Sequence, residues 1–163
     1  MAKSVVAFSL NEFDPTYTRV LVGDADFSFV NFTDLGTLEL ITGRANFINS
    51  QIENLGNLTS IGGGAYFGKS EIQDLGQLTT IEGNADFEDS KIKSLGNLTT
   101  IVGGAYFGNS QIEDLGNLTT IGGNAYFLDS QVENLGNLNT IGGGVNFGNK
   151  KDLKAEWEKR KNK

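Results

Sequence analysis

The residues of this chain that could do chemistry are carboxylates, hydroxyls and amides, because its 163 residues include no histidine and no cysteine. Without histidine the chain lacks the commonest general base, proton switch and transition-metal ligand. Without cysteine neither a disulfide nor a thiolate metal site can form, and that test leaves the redox compartment open. The densest acidic group is Asp86, Glu88 and Asp89. Paired carboxylates can serve as acid and base or bind Ca²⁺, but neither use is expected here. A calcium-binding β-roll needs a G-G-x-G-x-D pattern in coil after coil, whereas Gly-x-Ala-Asp ends only at Asp26 and Asp86. An acid–base pair would also need a pocket. The expectation is therefore a protein that is not an enzyme and needs no metal and no cofactor.

Recognition is the more promising chemistry. At intervals of 20 residues, one position between a small apolar residue and a Phe reads Asp26, Asn46, Tyr66, Asp86, Tyr106, Tyr126 and Asn146. It varies while its neighbours do not, which is how a repeat protein writes specificity. Tyr suits such a position because it offers a large contact area at low entropic cost. Two flanking columns add Ile48, Glu88 and Leu128, then Lys69, Asp89 and Asp129. The candidate partner-binding set is Tyr66, Asp86, Glu88, Tyr106, Tyr126, Leu128 and Asp129. The competing account treats the same residues as sheet surface supported by cross-strand pairs.

These residues must be positioned by a repeated element. From Leu21 to Phe147 one 20-residue unit recurs without insertion or deletion, in six full copies and a partial seventh. A unit this small cannot bury its own apolar residues, so the units must stack as a solenoid with one continuous core. Ala and Phe are two apart, the period of a strand, so A-x-F predicts a short strand with both residues inward. The spacing of three in I-x-x-L-x-x-L-x-x-I predicts an irregular or 3₁₀-like return path. The 22 glycines are periodic rather than scattered, so they mark positions needing positive φ or close backbone approach, not disorder.

Residues 1–20 are expected to form an N-terminal cap, with Val5, Ala7 and Ser9 alternating with Val6, Phe8 and Leu10. Residues 21–149 are the solenoid. Residues 150–163 place Leu153 and Trp157 four apart on one face and predict a basic, amphipathic helical cap. Open sheet edges at the ends of such a rod need covering.

The unit resembles the leucine-rich repeat. The family's core L-x-L-x-x-N-x-L is matched by Ala125, Phe127, Ser130 and Val132, and by Ala105, Phe107, Ser110 and Ile112, followed by Leu115 and Leu118. Ser50, Ser70, Ser90, Ser110 and Ser130 stand where the family has Asn. The I-G-G-x-A-x-F phrase is similar to short bacterial and phage repeats of the BspA type and to receptor L domains. The resemblance implies a mainly β repeat solenoid, and a right-handed parallel β-helix with three short sides fits the same columns. It also implies a narrower role, a small acidic phage or bacterial inhibitor occupying the nucleic-acid groove of a defence protein.

Charge points the same way. Residues 150–163 carry seven basic and three acidic side chains, a net of +4, leaving six basic and 17 acidic in residues 1–149, a net of −11. Such a body repels nucleic acid and attracts a basic protein. The expected partner is a protein with a basic surface, with no direct nucleic acid and no membrane. The chain is expected to be a monomer or weak homodimer. No signal peptide pattern is visible at the start, so a cytoplasmic setting is expected, with surface display or secretion left open. A structural or cell-surface adhesin-type module is the alternative function. Two adjacent threonine columns, Thr59 to Thr119 and Thr80 to Thr140, could match ice, but adjacency lets only one face solvent, and the other is expected to bond backbone at a corner.

Overall fold

The structure is a computed structural model that describes residues 6–161. Val5 of the expected N-terminal cap and Lys163 of the basic tail lie outside the described residues. Within them the chain is a parallel β-solenoid of about six turns closed by one short helix. Its strands are two residues long and run from β1 (Val6–Ala7), β2 (Val20–Leu21) and β3 (Ala25–Asp26) to β14 (Thr140–Ile141) and β15 (Val145–Asn146), followed by α1 (Lys151–Lys161).

Each complete coil contributes two strands rather than the single one expected. Even-numbered strands join β1 in an eight-stranded sheet, and odd-numbered strands from β3 to β15 form a seven-stranded sheet. All pairs are parallel, and from β2 onward they are in register at 20 residues, as in Thr100↔Thr120 and Ala105↔Ala125, whereas β1 pairs Val6 with Val20. The first-sheet strand is Thr-Ile, with one residue inward and one outward. A strand that short has no second inward residue, so no two-residue period marks it in the sequence. The corner between the sheets is tight. A Cβ on Gly103 would lie 2.4 Å from Asn84 Oδ1 and 2.6 Å from its backbone N, so this column serves close approach.

The core follows from the inward columns. Ala105, Phe107, Ile112, Leu115, Leu118 and Ile121 are fully buried, and their equivalents in the other coils nearly all match them. Seven phenylalanines from Phe27 to Phe147 stack face to face, with centroids 5.0 to 5.4 Å apart. Full burial of each such ring stabilises by about 1.5–3 kcal/mol. Beside them runs a buried serine column. Ser110 Oγ donates to the Phe107 carbonyl at 2.8 Å.

The threonine columns differ in bonding, but their exposure does not divide as expected, since Thr79 is exposed and Thr80, Thr99, Thr100, Thr119 and Thr120 are all half-buried. Thr79, Thr99 and Thr119 donate Oγ1 to the carbonyl of the threonine one coil earlier at 3.0 to 3.1 Å, while Thr80, Thr100 and Thr120 sit in the strands.

Both ends are closed differently. At the N-terminal end β1 pairs with β2, and Phe13 and Phe32 meet Phe27 edge-on at 5.8 and 6.2 Å. At the other end α1 lays Leu153 and Trp157 on the last coil, both buried. Arg160 does not belong to a freely solvated helix face. It donates to the Gly136 and Leu138 carbonyls at 3.0 and 2.7 Å and pairs with Glu156, so it satisfies carbonyls the final coil leaves unpaired.

Candidate functional site

The second sheet turns its variable residues outward as one row. Tyr66 closes β7 (Ala65–Tyr66), Asp86 β9 (Ala85–Asp86), Tyr106 β11 (Ala105–Tyr106) and Tyr126 β13 (Ala125–Tyr126). The register makes them consecutive neighbours: Tyr66↔Asp86, Asp86↔Tyr106, Tyr106↔Tyr126 and Tyr126↔Asn146. Each lies between two inward residues that pack at the core, so the frame fixes where these side chains leave the sheet.

The Tyr106 and Tyr126 rings stack at 5.0 Å with planes 7° apart. Asn124 Nδ2 donates to the Tyr126 hydroxyl at 3.2 Å, drawing that ring toward one flank. Asp86 Oδ1 accepts the Glu88 N–H at 2.9 Å in a turn just past the strand. The Glu88 carboxyl is pushed above its ordinary range, chiefly by burial and then by the like charges of Asp86 and Asp89. A carboxylate in that setting gains from a cation brought alongside it. Leu128 is half exposed, and Asp129 is exposed in a left-handed turn at φ 55°. Tyr66, Asp86, Tyr106 and Tyr126 thus form one outward row, with Tyr66 separated from the stacked pair by Asp86, while Glu88, Leu128 and Asp129 stand in the turns that follow the strands.

The same face continues into a group that the sequence reading left out. Arg44 makes a paired contact with Asp24 Oδ2 at 2.9 and 3.0 Å, while Asp24 Oδ1 accepts the Arg44 backbone N–H at 2.8 Å. That backbone bond, with the guanidinium second, holds the Asp24 carboxyl below its usual range. Hydrogen bonds from Ser28 depress Asp26 likewise. With Ala25, Asn46, Ile48 and Tyr66 these residues line an open cleft of about 400 Å³. The available signal was opposite charge at a separation of 20 residues, Asp24 against Arg44.

A second missed feature is a 40-residue period laid over the 20-residue one. Coils containing Tyr66 and Tyr106 carry Gly64, Gly68, Gly104 and Gly108, where the intervening coils carry Arg44, Ile48, Asn84, Glu88, Asn124 and Leu128. The large side chains rest on the glycines of the following coil. A Cβ on Gly68 would lie 3.9 Å from Ile48 Cγ1, on Gly108 3.1 Å from Glu88 Oε1, and on Gly148 2.9 Å from Leu128 Cδ1. Asn84 and Asn124 Oδ1 accept the Gly104 and Gly144 N–H at 2.8 and 2.7 Å. The face is thus corrugated, with a ridge at every second coil. Between the Ile48 and Glu88 ridges lies an open slot of about 240 Å³ that also meets Gly68, Lys69, Asp86 and Asp89.

The third side of the coil obeys the same alternation. Bridges join Asp34 to Asn54, Asp74 to Ser94 and Asp114 to Asn134. Gly56 and Gly96 press on the coil before them, a Cβ there meeting backbone at 2.3 and 2.6 Å, whereas Gly76 and Gly116 have nothing within 4 Å.

Among the described residues no group of three or more acidic side chains is arranged to hold a metal ion, and no helix is long and apolar enough to cross a membrane. No family profile, curated protein or solved structure matches this chain.

Proposed function

We propose that the chain is a non-enzymatic binding solenoid whose second-sheet face docks a basic protein surface. The observation that carries this reading is the outward row itself, where residues vary inside an otherwise repeated frame. The row combines two stacked tyrosines with the carboxylates of Asp86, Glu88 and Asp89, which outnumber the one lysine, Lys69, that shares their slot. The acidic body supplies long-range attraction for a basic partner and makes the association salt-dependent. Stacked tyrosines supply rigid contact area at the centre of the face.

A narrower form of the reading is a small acidic inhibitor, of bacterial or phage type, that competes with nucleic acid for a partner's basic groove. It predicts that added DNA displaces the protein and that affinity falls steeply with salt. The second reading is a structural or adhesin-type module, favoured by the near-identity of the inward columns in every coil, which by itself demands only a rod.

Affinity purification with the wild-type protein, beside a variant carrying Tyr106→Ala, Tyr126→Ala and Asp86→Ala, separates these readings. A basic protein recovered by the wild type and lost by the variant is the expected result. Identical recoveries from both baits would move the weight to the structural module.

A further inference from the structure

The N-terminal cap stops one strand short of a full coil. Val6 pairs with Val20, 14 residues on, whereas Val20 pairs with Leu40 and every later step is also 20. Arg19 keeps the longer register, because its carbonyl accepts the Glu39 N–H at 2.8 Å just as the Glu39 carbonyl accepts the Thr59 N–H at 2.9 Å. The shortfall therefore lies between Ala7 and Pro15, the stretch that in later coils builds the second-sheet strand and its turn. Here the chain turns instead, with the Glu12 and Phe13 N–H donating to the Ser9 and Leu10 carbonyls, and Phe13 covers Phe27 edge-on. The first sheet thus begins at β1, one coil before the second begins at β3.

That difference leaves the backbone of β3 as an open edge. In later coils the carbonyls of Arg44, Asn46 and Gly68 accept the N–H groups of Ala25, Phe27 and Asn49 from the coil before. Their equivalents in the first coil are Asp24, Asp26 and Ser28, and among the described residues no N–H reaches those carbonyls. The Asp26 N–H faces the same way, since successive residues of a parallel strand bond to opposite sides and Ala25 bonds to the following coil. Unpaired edges of this kind add an extended segment. Exposed rings stand at both ends of the gap: Phe8, 70% exposed, follows β1, and Phe29, 78% exposed, follows β3. Phe29 also holds φ at 59°, where the equivalent residues of later coils are Asn, Lys or Asp. A bulky ring kept in a strained backbone and left in water does little packing within its own chain.

The gap admits one strand and excludes a second copy. It is a single coil deep, about 4.8 Å. An end-on copy offering β15 would drive its β14 into β1, since β14 and β15 share a coil. Two β3 edges paired with each other would set Asp26 against its own equivalent, a like-charge pair. Charge then selects the partner. Asp24 is already paired with Arg44, whereas Asp26 accepts hydrogen bonds from Ser28 and Asn46 and has no ion pair among the described residues.

We infer that β3 receives a single extended segment of a partner protein, about six residues long, the number the cap coil lacks. It completes the missing strand by pairing with the Asp24, Asp26 and Ser28 carbonyls and the Asp26 N–H. A basic side chain meets Asp26, and apolar residues at its two ends meet Phe8 and Phe29. The surface is separate from the tyrosine row and does not depend on it.

Fluorescence anisotropy with a labelled peptide Leu-Arg-Thr-Arg-Thr-Leu tests it, beside two forms N-methylated on the odd or the even residues. An added edge strand uses alternate N–H groups. One form is therefore expected to bind as the parent does, and the other about tenfold or more weakly, the scale of two lost backbone hydrogen bonds. Amide exchange at Asp26 is expected to slow when the parent peptide is present. Asp26→Asn, which can keep both side-chain hydrogen bonds, should weaken binding about threefold, as loss of an exposed ion pair does. Phe29→Asn should weaken binding while raising the melting temperature, because Asn tolerates the left-handed turn. No binding of the parent peptide, equal affinity of the two methylated forms, or an unprotected Asp26 amide would overturn the inference. So would sedimentation showing that the chain alone dimerises with that amide protected. The variant carrying Tyr106→Ala, Tyr126→Ala and Asp86→Ala should bind the peptide as the wild type does, so the two surfaces stand or fail separately.

Discussion

The two sheets of each coil treat their outward hydroxyls in opposite ways. At the edge of the first sheet, Thr79, Thr99 and Thr119 spend their hydroxyls on the carbonyl of the neighbouring coil. On the second, Tyr106 and Tyr126 carry theirs away from the backbone, on stacked rings beside Asp86. The first set of hydroxyls ties coil to coil, and the second is held only by side chains, as where Asn124 donates to Tyr126. Within the second sheet the contrast repeats at single-residue resolution, since Phe107 is fully buried and its chain neighbour Tyr106 is not.

The sharpest way to break this comparison is to truncate those two neighbours separately. Phe107→Ala opens a gap between Phe87 and Phe127 in the stack and is expected to cost about 3–5 kcal/mol of stability, read by thermal or denaturant unfolding. Tyr106→Ala removes one stacked pair at a cost of about 0.5–1.5 kcal/mol, while weakening partner binding at least tenfold, the effect of losing a central aromatic anchor. If Tyr106→Ala proved the more destabilising of the two, the division into frame and face would fail.

A smaller effect is expected on the first sheet. Thr99→Val deletes a hydroxyl that donates to the Thr79 carbonyl at 3.1 Å, and about 1 kcal/mol of stability should go with it. Partner affinity, measured on the same sample, should not change.

The smallest effect concerns Glu88. Its folded-state pKa lies above the ordinary value of 4.5, so the folded protein holds this proton more tightly than the unfolded chain does. Ionised Glu88 therefore opposes folding, and stability falls as pH rises from the ordinary value through the raised one. Glu88→Gln should raise the melting temperature slightly near neutral pH, and the gain should vanish once the pH is below the ordinary carboxylate value. A gain that persists in acid would show that the charge is not the cause.

Much of the fold was legible because one column of side chains repeats at a fixed interval. Ala-x-Phe announced its strand by two inward residues, and Leu153 with Trp157 announced the helical cap. The Thr-Ile strand stayed hidden because a single inward residue has no period to detect. Strand alternation made legible that Tyr66, Asp86, Tyr106 and Tyr126 form one outward row, whereas Glu88, Leu128 and Asp129 lie beyond the strands, where alternation says nothing. The Asp24–Arg44 contact escaped because it joins coils that differ from the consensus. The 40-residue corrugation escaped because a near-perfect 20-residue repeat masks a period twice as long. The anchoring of Arg160 on the Gly136 and Leu138 carbonyls was not legible, since nothing in a sequence reveals which coil carbonyls lack a partner.

The central claim is that the second-sheet face, and not the first, meets the partner. Calorimetric titration of the protein captured by the wild-type chain tests it most directly against two variants. One carries Tyr106→Ala, Tyr126→Ala and Asp86→Ala on the second sheet, and the other carries Thr80→Ala, Thr100→Ala and Thr120→Ala on the first. The account predicts lost binding for the former and wild-type affinity for the latter. Retained binding by the former, with loss by the latter, would contradict it.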